Sequence, residues 1–90
     1  MHYLHRDQEA VAVAFGGGVP SGERFEVGAW EFDDASGPRL QAALTDIVCR
    51  LASSFDCGTH TVFIGDVESV GANPGVPLLY CDGGYAALAN

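Results

Sequence analysis

The chain has 90 residues, and its 12 acidic side chains outnumber four arginines, which gives a formal net charge of −8. This length predicts one small domain spanning residues 1–90. The acidic charge argues against nucleic acid and anionic membranes as partners, because both attract basic patches. The apolar share of 48% is enough for a folded core, although a domain this small buries a limited fraction of its surface.

The cysteine content indicates a reducing compartment. The number of cysteines is odd, and Met1 is not followed by the apolar stretch of a secretory signal. We therefore expect free thiols and a cytoplasmic protein. No apolar run approaches the roughly 20 residues that a membrane-spanning helix needs. The cysteines are Cys49, Cys57 and Cys81.

The N-terminal segment predicts a helix over residues 5–15, where apolar residues recur at helical spacing and Asp7 supplies a start signal. The glycine triplet 16–18 ends this helix, and Pro20 prevents its return. Residues 19–25 follow as a loop whose last residue is apolar.

The middle of the chain predicts a short strand and a second helix. Residues 26–32 form a poor strand, and residues 33–38 form a turn. Leu40 and Leu44 are four residues apart, and this spacing predicts a short helix over residues 39–45.

The second half of the chain predicts antiparallel strands. Apolar and polar residues alternate over 46–55, a tight turn follows, and residues 59–70 form the second strand of a hairpin. Gly65 interrupts that strand and indicates a bulge or the close approach of another backbone. Residues 76–81 form a third strand, and a turn at 82–84 leads into a short tail.

Together these elements predict an α+β fold that is mainly antiparallel β. It contains an N-terminal helix, a short second helix and a three-stranded meander. Three strands with one apolar face need a cover. The first helix, a missing half-barrel or a second subunit could each supply that cover.

The side chains that can bind metal do not have the spacing of a zinc site. Cys57 and His60 are separated by two residues, but Cys49 and Cys81 are isolated in apolar strands, where free cysteine is a common core residue. We therefore predict no metal, and a small zinc-binding domain is the third-ranked alternative.

The other polar groups give no catalytic pattern. His2 and His5 lie near the N-terminus, where we expect no fixed role, and Asp66 and Glu68 share one solvated strand face. The sequence has no glycine loop of a phosphate-binding type. His60 remains, at the start of a predicted strand, and its position alone leaves both a structural and a ligand-binding role open.

Five segments of the chain become informative when they are taken in order. They are DQEAVAVAF, GERFEVGAW, SGPRLQAALTDIVCRL, CGTHTVFIGDVESV and PLLYCDGGYAAL. In this order they resemble the C-terminal half of the flavin reductase-like, FMN-binding split-barrel family. Members of that family are short-chain NAD(P)H:flavin oxidoreductases that supply reduced flavin to two-component monooxygenases.

The resemblance implies a partial split β-barrel and a site for FMN or FAD, with NAD(P)H as co-substrate. By resemblance, His60 is the catalytic residue beside the flavin and nicotinamide rings, and it follows Gly58 in the family's Gly-Asp-His segment, whose acid is Thr59 here. Phe25 and Tyr85 would lie at the rim of the same pocket. The resemblance also implies a homodimer and a flavin-dependent monooxygenase as partner.

The family domain is longer than this chain, and the strands that hold the flavin phosphate in its N-terminal half have no counterpart here. We therefore expect a fragment, a truncated relative or one piece of a split protein. Two functions stay open at this point. One is a flavin reductase, and the other is a non-catalytic remnant that serves as a dimerisation or interaction module.

Overall fold

Short helical turns fill the first third of the chain in the computed structural model, which describes residues 1–88. The predicted N-terminal helix is confirmed, and it continues into the glycine triplet, where Gly17 takes a φ of 106°. The loop that we predicted after it contains a helical turn. The helical elements are a 3₁₀ turn (Arg6–Gln8), helix α1 (Glu9–Val13), a π turn (Ala14–Gly18) and a 3₁₀ helix (Ser21–Glu26).

The first helical turn begins at Arg6, one residue later than the predicted range, because His5 is its cap. The His5 ring accepts a hydrogen bond from the Asp7 backbone N–H at 3.1 Å, and the Gln8 side chain accepts one from the His5 N–H at 2.9 Å. This reciprocal arrangement is a capping box. The expectation that His5 has no fixed role is therefore wrong.

The predicted short helix over 39–45 is wrong, because the structure has a β-hairpin in this region. Strand β2 (Trp30–Asp33) pairs with strand β3 (Gly37–Leu40), and Trp30 lies opposite Leu40. Ala42 has a φ of 58°, which a right-handed helix does not allow. Pairing with Trp30 buries Leu40 better than a short isolated helix would, so tertiary packing overrides the local spacing.

The long hairpin is confirmed. Strand β4 (Thr45–Cys57) pairs with strand β5 (His60–Ala72) in antiparallel register from end to end. The register shifts twice, and the shift between Leu51 and Ser53 lies beside Gly65, as the interrupted pattern predicts. A Cβ on Gly65 would meet the Cys49 Cβ at 2.9 Å, which explains the glycine at this position.

The three-stranded meander is only partly correct, because the third strand of the sheet comes from the N-terminus. Strand β1 (His2–Tyr3) pairs with β4, and the order of the sheet is β1-β4-β5. Strand β6 (Leu78–Cys81) exists but pairs with strand β7 (Gly84–Ala87). The Asp-Gly turn between β6 and β7 has positive φ at both residues and favours a local hairpin over pairing with β5.

The α+β class with mainly antiparallel strands is confirmed, and the strands within residues 1–88 do not close into a barrel. Strand β7 includes part of the segment that we predicted as a tail. The last two residues of that tail lie outside the described ones. The described helices include none that is long and apolar enough to cross a membrane.

The core is small and lies at one end of the molecule. Four buried residues, each at most 6% exposed, come from the helical segment, the end of β3 and the turn that follows it. Leu4, Val27 and Trp30 pack against the three of them other than Ala14. The buried residues are Val11, Ala14, Leu40 and Ala43.

The total surface of the chain is larger than its mass predicts. A compact 9.4 kDa monomer exposes about 5,000 Å², whereas this chain exposes 6400 Å². On the β4–β5 hairpin, nearly every side chain beyond Val48 is exposed. The hairpin therefore lacks a cover within the described chain.

Candidate functional site

His60 lies at the tip of the β4–β5 hairpin, where it forms the last register pair with Cys57. Gly58 and Thr59 make the two-residue turn between them, and Gly58 has a φ of 61°. A left-handed residue at only the first turn position is typical of type II′ hairpin turns, and glycine adopts it without strain. The predicted site residues Gly58 and His60 therefore both lie at the hairpin tip. Gly58 shapes the turn through its backbone, and His60 contributes its side chain.

Two side-chain hydrogen bonds fix the hairpin tip. The Thr59 hydroxyl lies 3.0 Å from the His60 Nδ1, and the Thr61 hydroxyl donates to the Asp56 carboxylate across the hairpin at 2.9 Å. Thr59 contacts the imidazole, whereas Thr61 links the two strands. The ring of His60 and the strand backbone beside it are therefore held by separate hydrogen bonds.

The face of the hairpin that carries His60 is apolar. Side chains two residues apart share a face, so His60, Val62 and Ile64 lie on one side of β5. Phe55 is the register partner of Val62 and lies on the same side. All four are exposed. An imidazole beside an apolar surface can contact a planar ring by stacking and offer one polar nitrogen to it.

The opposite face of the hairpin is apolar as well. A cavity of about 470 Å³ opens on it, and Phe63 and Val67 project there, each more than 60% exposed. Strands that are apolar on both faces are typically covered on both. The hairpin therefore has two faces to cover, of which only one carries the histidine. The cavity is lined by Met1, Ile47, Cys49, Leu51, Phe63, Gly65 and Val67.

Phe25 lies far along the chain from His60, in a cluster of aromatic rings at the core end of the molecule. Its ring is 5.0 Å from Trp30 and 5.3 Å from Phe15, both edge-to-face, and 5.5 Å from Phe32. Such contacts stabilise aromatic side chains beyond the area that they bury. A cavity of about 320 Å³ opens beside the cluster, and Phe25 lines it.

His2 is part of this aromatic cluster, which the sequence did not indicate. Its Nε2 accepts a hydrogen bond from the Leu40 N–H at 3.2 Å, and its ring packs edge-on against Trp30 at 5.5 Å. The expectation of no fixed role is wrong for His2. Burial lowers the pKa of His2, and the positive N-terminus lowers it further, against the opposing effect of Asp46. No sequence pattern marks a residue whose contacts lie 28 and 38 positions away.

Tyr85 lies on β7, in the third hairpin. It is the register partner of Tyr80, and their rings are 5.1 Å apart in an edge-to-face contact. Tyr85 is half-buried, whereas Tyr80 is 67% exposed. The tyrosine pair thus forms a small aromatic surface of its own.

The four predicted site residues occupy three separate elements. His60 and Gly58 share the long hairpin, Phe25 belongs to the 3₁₀ helix, and Tyr85 belongs to the last hairpin. Within residues 1–88, no hydrogen bond or ring contact joins His60, Phe25 and Tyr85. Their common pocket stays a prediction.

Two features of the hairpin bear on the predicted flavin site. The exposed apolar face beside His60 offers surface that a planar ring could contact. The nearest basic group along the hairpin, Arg50, is engaged with Asp66 at 3.5 Å, so it is a weak candidate for a phosphate. Residues 1–88 also contain no group of three His, Cys, Asp or Glu side chains that could hold a metal ion, and the zinc alternative has no geometric support.

Comparison with protein families gives one match over almost the whole chain. Residues 1–89 match the family described as "Flavin reductase like domain". Among curated relatives, the reductase component of an FADH(2)-dependent resorcinol hydroxylase from Rhizobium sp. (strain MTP-10005) is 40% identical, over 99% of this chain and 50% of its own length. The FMN reductase (NADH) RutF from Enterobacter sp. (strain 638) is 34% identical, over 94% of this chain and 52% of its own length.

The fold is similar to that of solved flavin reductases. Nitrilotriacetate monooxygenase component B from Mycobacterium thermoresistibile superposes with a TM-score of 0.84 at 28% identity, over 98% of this chain and 50% of the other. The partial split-barrel architecture is thereby confirmed. The chain spans about half the length of the curated relatives that it matches.

Proposed function

Because the chain belongs to the flavin reductase like domain family, we propose that it contributes to a flavin reductase that binds FMN or FAD and oxidises NAD(P)H. FMN and NADH are the first pair to test, since one relative is named an FMN reductase (NADH). Reduced flavin would then pass to a monooxygenase or hydroxylase, the kind of partner that the names of two other relatives state. We also propose that residues 1–90 act as one structural unit.

The observation that carries this proposal is the position of His60. A hydrogen-bonded imidazole stands at the end of an apolar hairpin face, beside Val62 and Ile64. Water-exposed apolar surface of this kind has a cost that a bound planar ring would remove. The arrangement supports contact with a flavin or nicotinamide ring more than it supports acid–base chemistry on a polar substrate.

The flavin, when bound, supplies the hydride chemistry. The residues of this chain would bind and orient the rings and exclude water from them. His60 would contact the rings at one end, and Val62 and Phe55 would cover their apolar surface. Phe25 and Tyr85 would close the rim once a further protein segment brings their elements together, as the family resemblance implies.

We further propose that the chain pairs with a second copy to form a homodimer. The surface of 6400 Å² exceeds the value for a compact monomer by about 1,400 Å², and a standard interface buries about 800 Å² on each partner. The apolar hairpin face that carries Phe63 and Val67, opposite His60, would supply part of that area. The three cysteines are free and exposed, which supports a reducing, cytoplasmic setting.

The alternative function is a non-catalytic dimerisation or interaction module of the same fold. The observation that favours it is the separation of the predicted site residues among three elements. Both functions predict a dimer, so only flavin binding and turnover distinguish them.

The test is a titration of the purified chain with FMN and, separately, with FAD. Binding shows as a shifted visible spectrum with quenched flavin fluorescence, and NADH and NADPH oxidation are then compared. We expect His60→Ala to weaken flavin binding or NADH oxidation up to roughly tenfold, the loss of one ring contact of about 1.4 kcal/mol.

The matched control is Thr61→Ala, which removes a polar side chain one residue away that contacts Asp56 and not the imidazole. It should leave both measurements within about twofold of the native chain. If the native chain binds neither flavin at high micromolar concentration, the reductase proposal is wrong and the interaction module stands. If His60→Ala behaves as Thr61→Ala does, His60 is structural.

A further inference from the structure

Thr59 and His60 are adjacent in the hairpin turn, and we propose that the Thr59 hydroxyl positions the His60 ring and selects its neutral tautomer. In this arrangement the hydroxyl donates its proton to Nδ1, and the ring proton is on Nε2. Thr59 is therefore a positioning residue for His60. The consequence for flavin binding rests on the function proposed above, whereas the tautomer itself does not.

The geometry restricts the ring more than an exposed position usually allows. The Thr59 hydroxyl lies 3.0 Å from Nδ1, at the distance of a good hydrogen bond. The two-residue turn leaves Thr59 no freedom to slide along the strand, because Cys57 and His60 are already paired. The bond from Thr61 to Asp56 closes the next position. The backbone of Thr59 is thus fixed beside His60, and its hydroxyl lies within hydrogen-bonding distance of Nδ1.

The tautomer follows from the direction of this hydrogen bond. A neutral imidazole has one nitrogen that donates and one that accepts, whereas a threonine hydroxyl can do either, so the proposed donation by the hydroxyl makes Nδ1 the acceptor. The nitrogen that is engaged determines which one carries the ring proton. When the hydroxyl donates to Nδ1, the donor of the ring is Nε2–H, which has no hydrogen-bond partner among residues 1–88. Nε2–H is then available to an acceptor atom of a bound heteroaromatic ring, such as a carbonyl oxygen.

The residue type at position 59 determines whether Nε2 of His60 donates or accepts a hydrogen bond. An ionised carboxylate only accepts hydrogen bonds. An aspartate at position 59, as in the Gly-Asp-His pattern, would take the Nδ1 proton and leave Nε2 as a bare acceptor. Threonine and aspartate at the same place therefore present opposite groups to a ligand. The substitution in this chain changes what His60 can recognise and leaves the ring in place.

The test is the ¹⁵N NMR spectrum of the imidazole, recorded without flavin at a pH where the ring is neutral. We expect the Nε2–H pattern for the native chain and for Thr59→Ser, which keeps the hydroxyl. Thr59→Val keeps the shape and removes the hydroxyl, so it should give a mixture of tautomers. Thr59→Asp should give the Nδ1–H pattern, because a carboxylate only accepts hydrogen bonds.

The matched control is Thr61→Val. It deletes a hydroxyl that lies two residues after Thr59 and bonds to Asp56. It should leave the His60 spectrum unchanged. An Nδ1–H pattern in the native chain would overturn the proposal, and so would a Thr59→Val spectrum identical to the native one.

A second measurement tests FMN binding by the same variants. In a chain that binds FMN, Thr59→Val and Thr59→Asp should each weaken binding severalfold, and Thr59→Ser should restore it. Absence of FMN binding by the native chain contradicts the proposed function and leaves the NMR result to decide the role of Thr59. Equal FMN binding by all three variants, together with the expected NMR changes, would limit Thr59 to tautomer selection and contradict its role toward the ligand.

Discussion

The core end of the molecule and the β4–β5 hairpin have similar shares of apolar side chains but opposite solvent exposure. At the core end, the helical segment and the β2–β3 hairpin bury Val11 and Leu40 against each other. On the long hairpin, Leu51 and Phe63 are more than 60% exposed. An apolar sequence therefore does not by itself make a core, because burial needs a second surface to pack against.

The comparison also separates two kinds of stability. The core end is held by contacts between residues distant in the sequence, such as His2 with Leu40 and Gln8 with Gln41. The hairpin is held by its own backbone ladder and depends on a cover to remove its apolar faces from water. We expect the first region to respond to changes within the chain and the second to respond to changes in its partners.

The largest expected effect is on folding. Leu40→Ala removes a buried side chain from a small core and should lower the free energy of unfolding by about 2–5 kcal/mol, enough to unfold a marginal domain. Leu51→Ala on the hairpin should lower it by about 0.5 kcal/mol or less in a monomer. Urea denaturation of both variants checks this, and equal losses in monomeric chains would contradict the division into two regions.

The next effect is on association. Phe63→Glu puts a charge on the apolar hairpin face and should dissociate the proposed homodimer, because an unpaired buried charge is costly. Phe32→Glu is the matched control, since Phe32 is the same residue type, is 67% exposed like Phe63 and lies on the β2–β3 hairpin. Light scattering coupled to gel filtration measures the mass. A native chain that is monomeric, or a dimer that both variants disrupt equally, would contradict the hairpin interface.

A smaller effect is the pH dependence of folding stability that His2 contributes at the core end. The pKa of His2 is lowered in the folded state, so the unfolded chain binds a proton more readily as the pH falls. The contribution of His2 to stability should therefore be constant above its unfolded pKa of about 6.5 and should fall as the pH drops from there through the lowered folded value.

His2→Phe provides the comparison for this pH dependence. It keeps a ring against Trp30 but loses the acceptor for the Leu40 N–H and cannot titrate. We expect it to be less stable than the native chain at pH 8 and to lose less stability between pH 7 and pH 5. Urea midpoints across this range measure both quantities, and parallel pH profiles would show that His2 protonation does not matter.

The smallest effect compares one ion pair from each region. Arg39 contacts Asp46 at 2.9 Å, and the Asp46 side chain is only 14% exposed. On the hairpin, Arg50 is 3.5 Å from Asp66 and both side chains are well exposed. Arg39→Ala should cost about 1 kcal/mol, and Arg50→Ala less than about 0.5 kcal/mol, because solvent screens the second pair. The reverse order in thermal melts would contradict this assignment.

Parts of this fold were predictable because their signals are local. The glycine triplet marked the end of the first helix, the Asp-Cys-Gly sequence at 56–58 marked the turn of the long hairpin to within one residue, and Gly65 marked the position of its bulge. The family was predictable for another reason, since five segments in the right order carry more information than any one of them. The position of His60 at the hairpin tip followed from the same local pattern.

The sequence by itself determined the α+β class, the long hairpin, the place of His60 within it and membership of the flavin reductase like domain family. Only the tertiary structure decided that residues 39–45 begin in a strand, that His2–Tyr3 supplies the third strand of the sheet and that His2 joins the aromatic cluster. Turn residues and side-chain periodicity act between neighbours along the chain, so they can be recognised in the amino-acid sequence. Strand partners and buried rings are chosen by competition among distant surfaces, and that competition is settled only when the chain is packed in three dimensions.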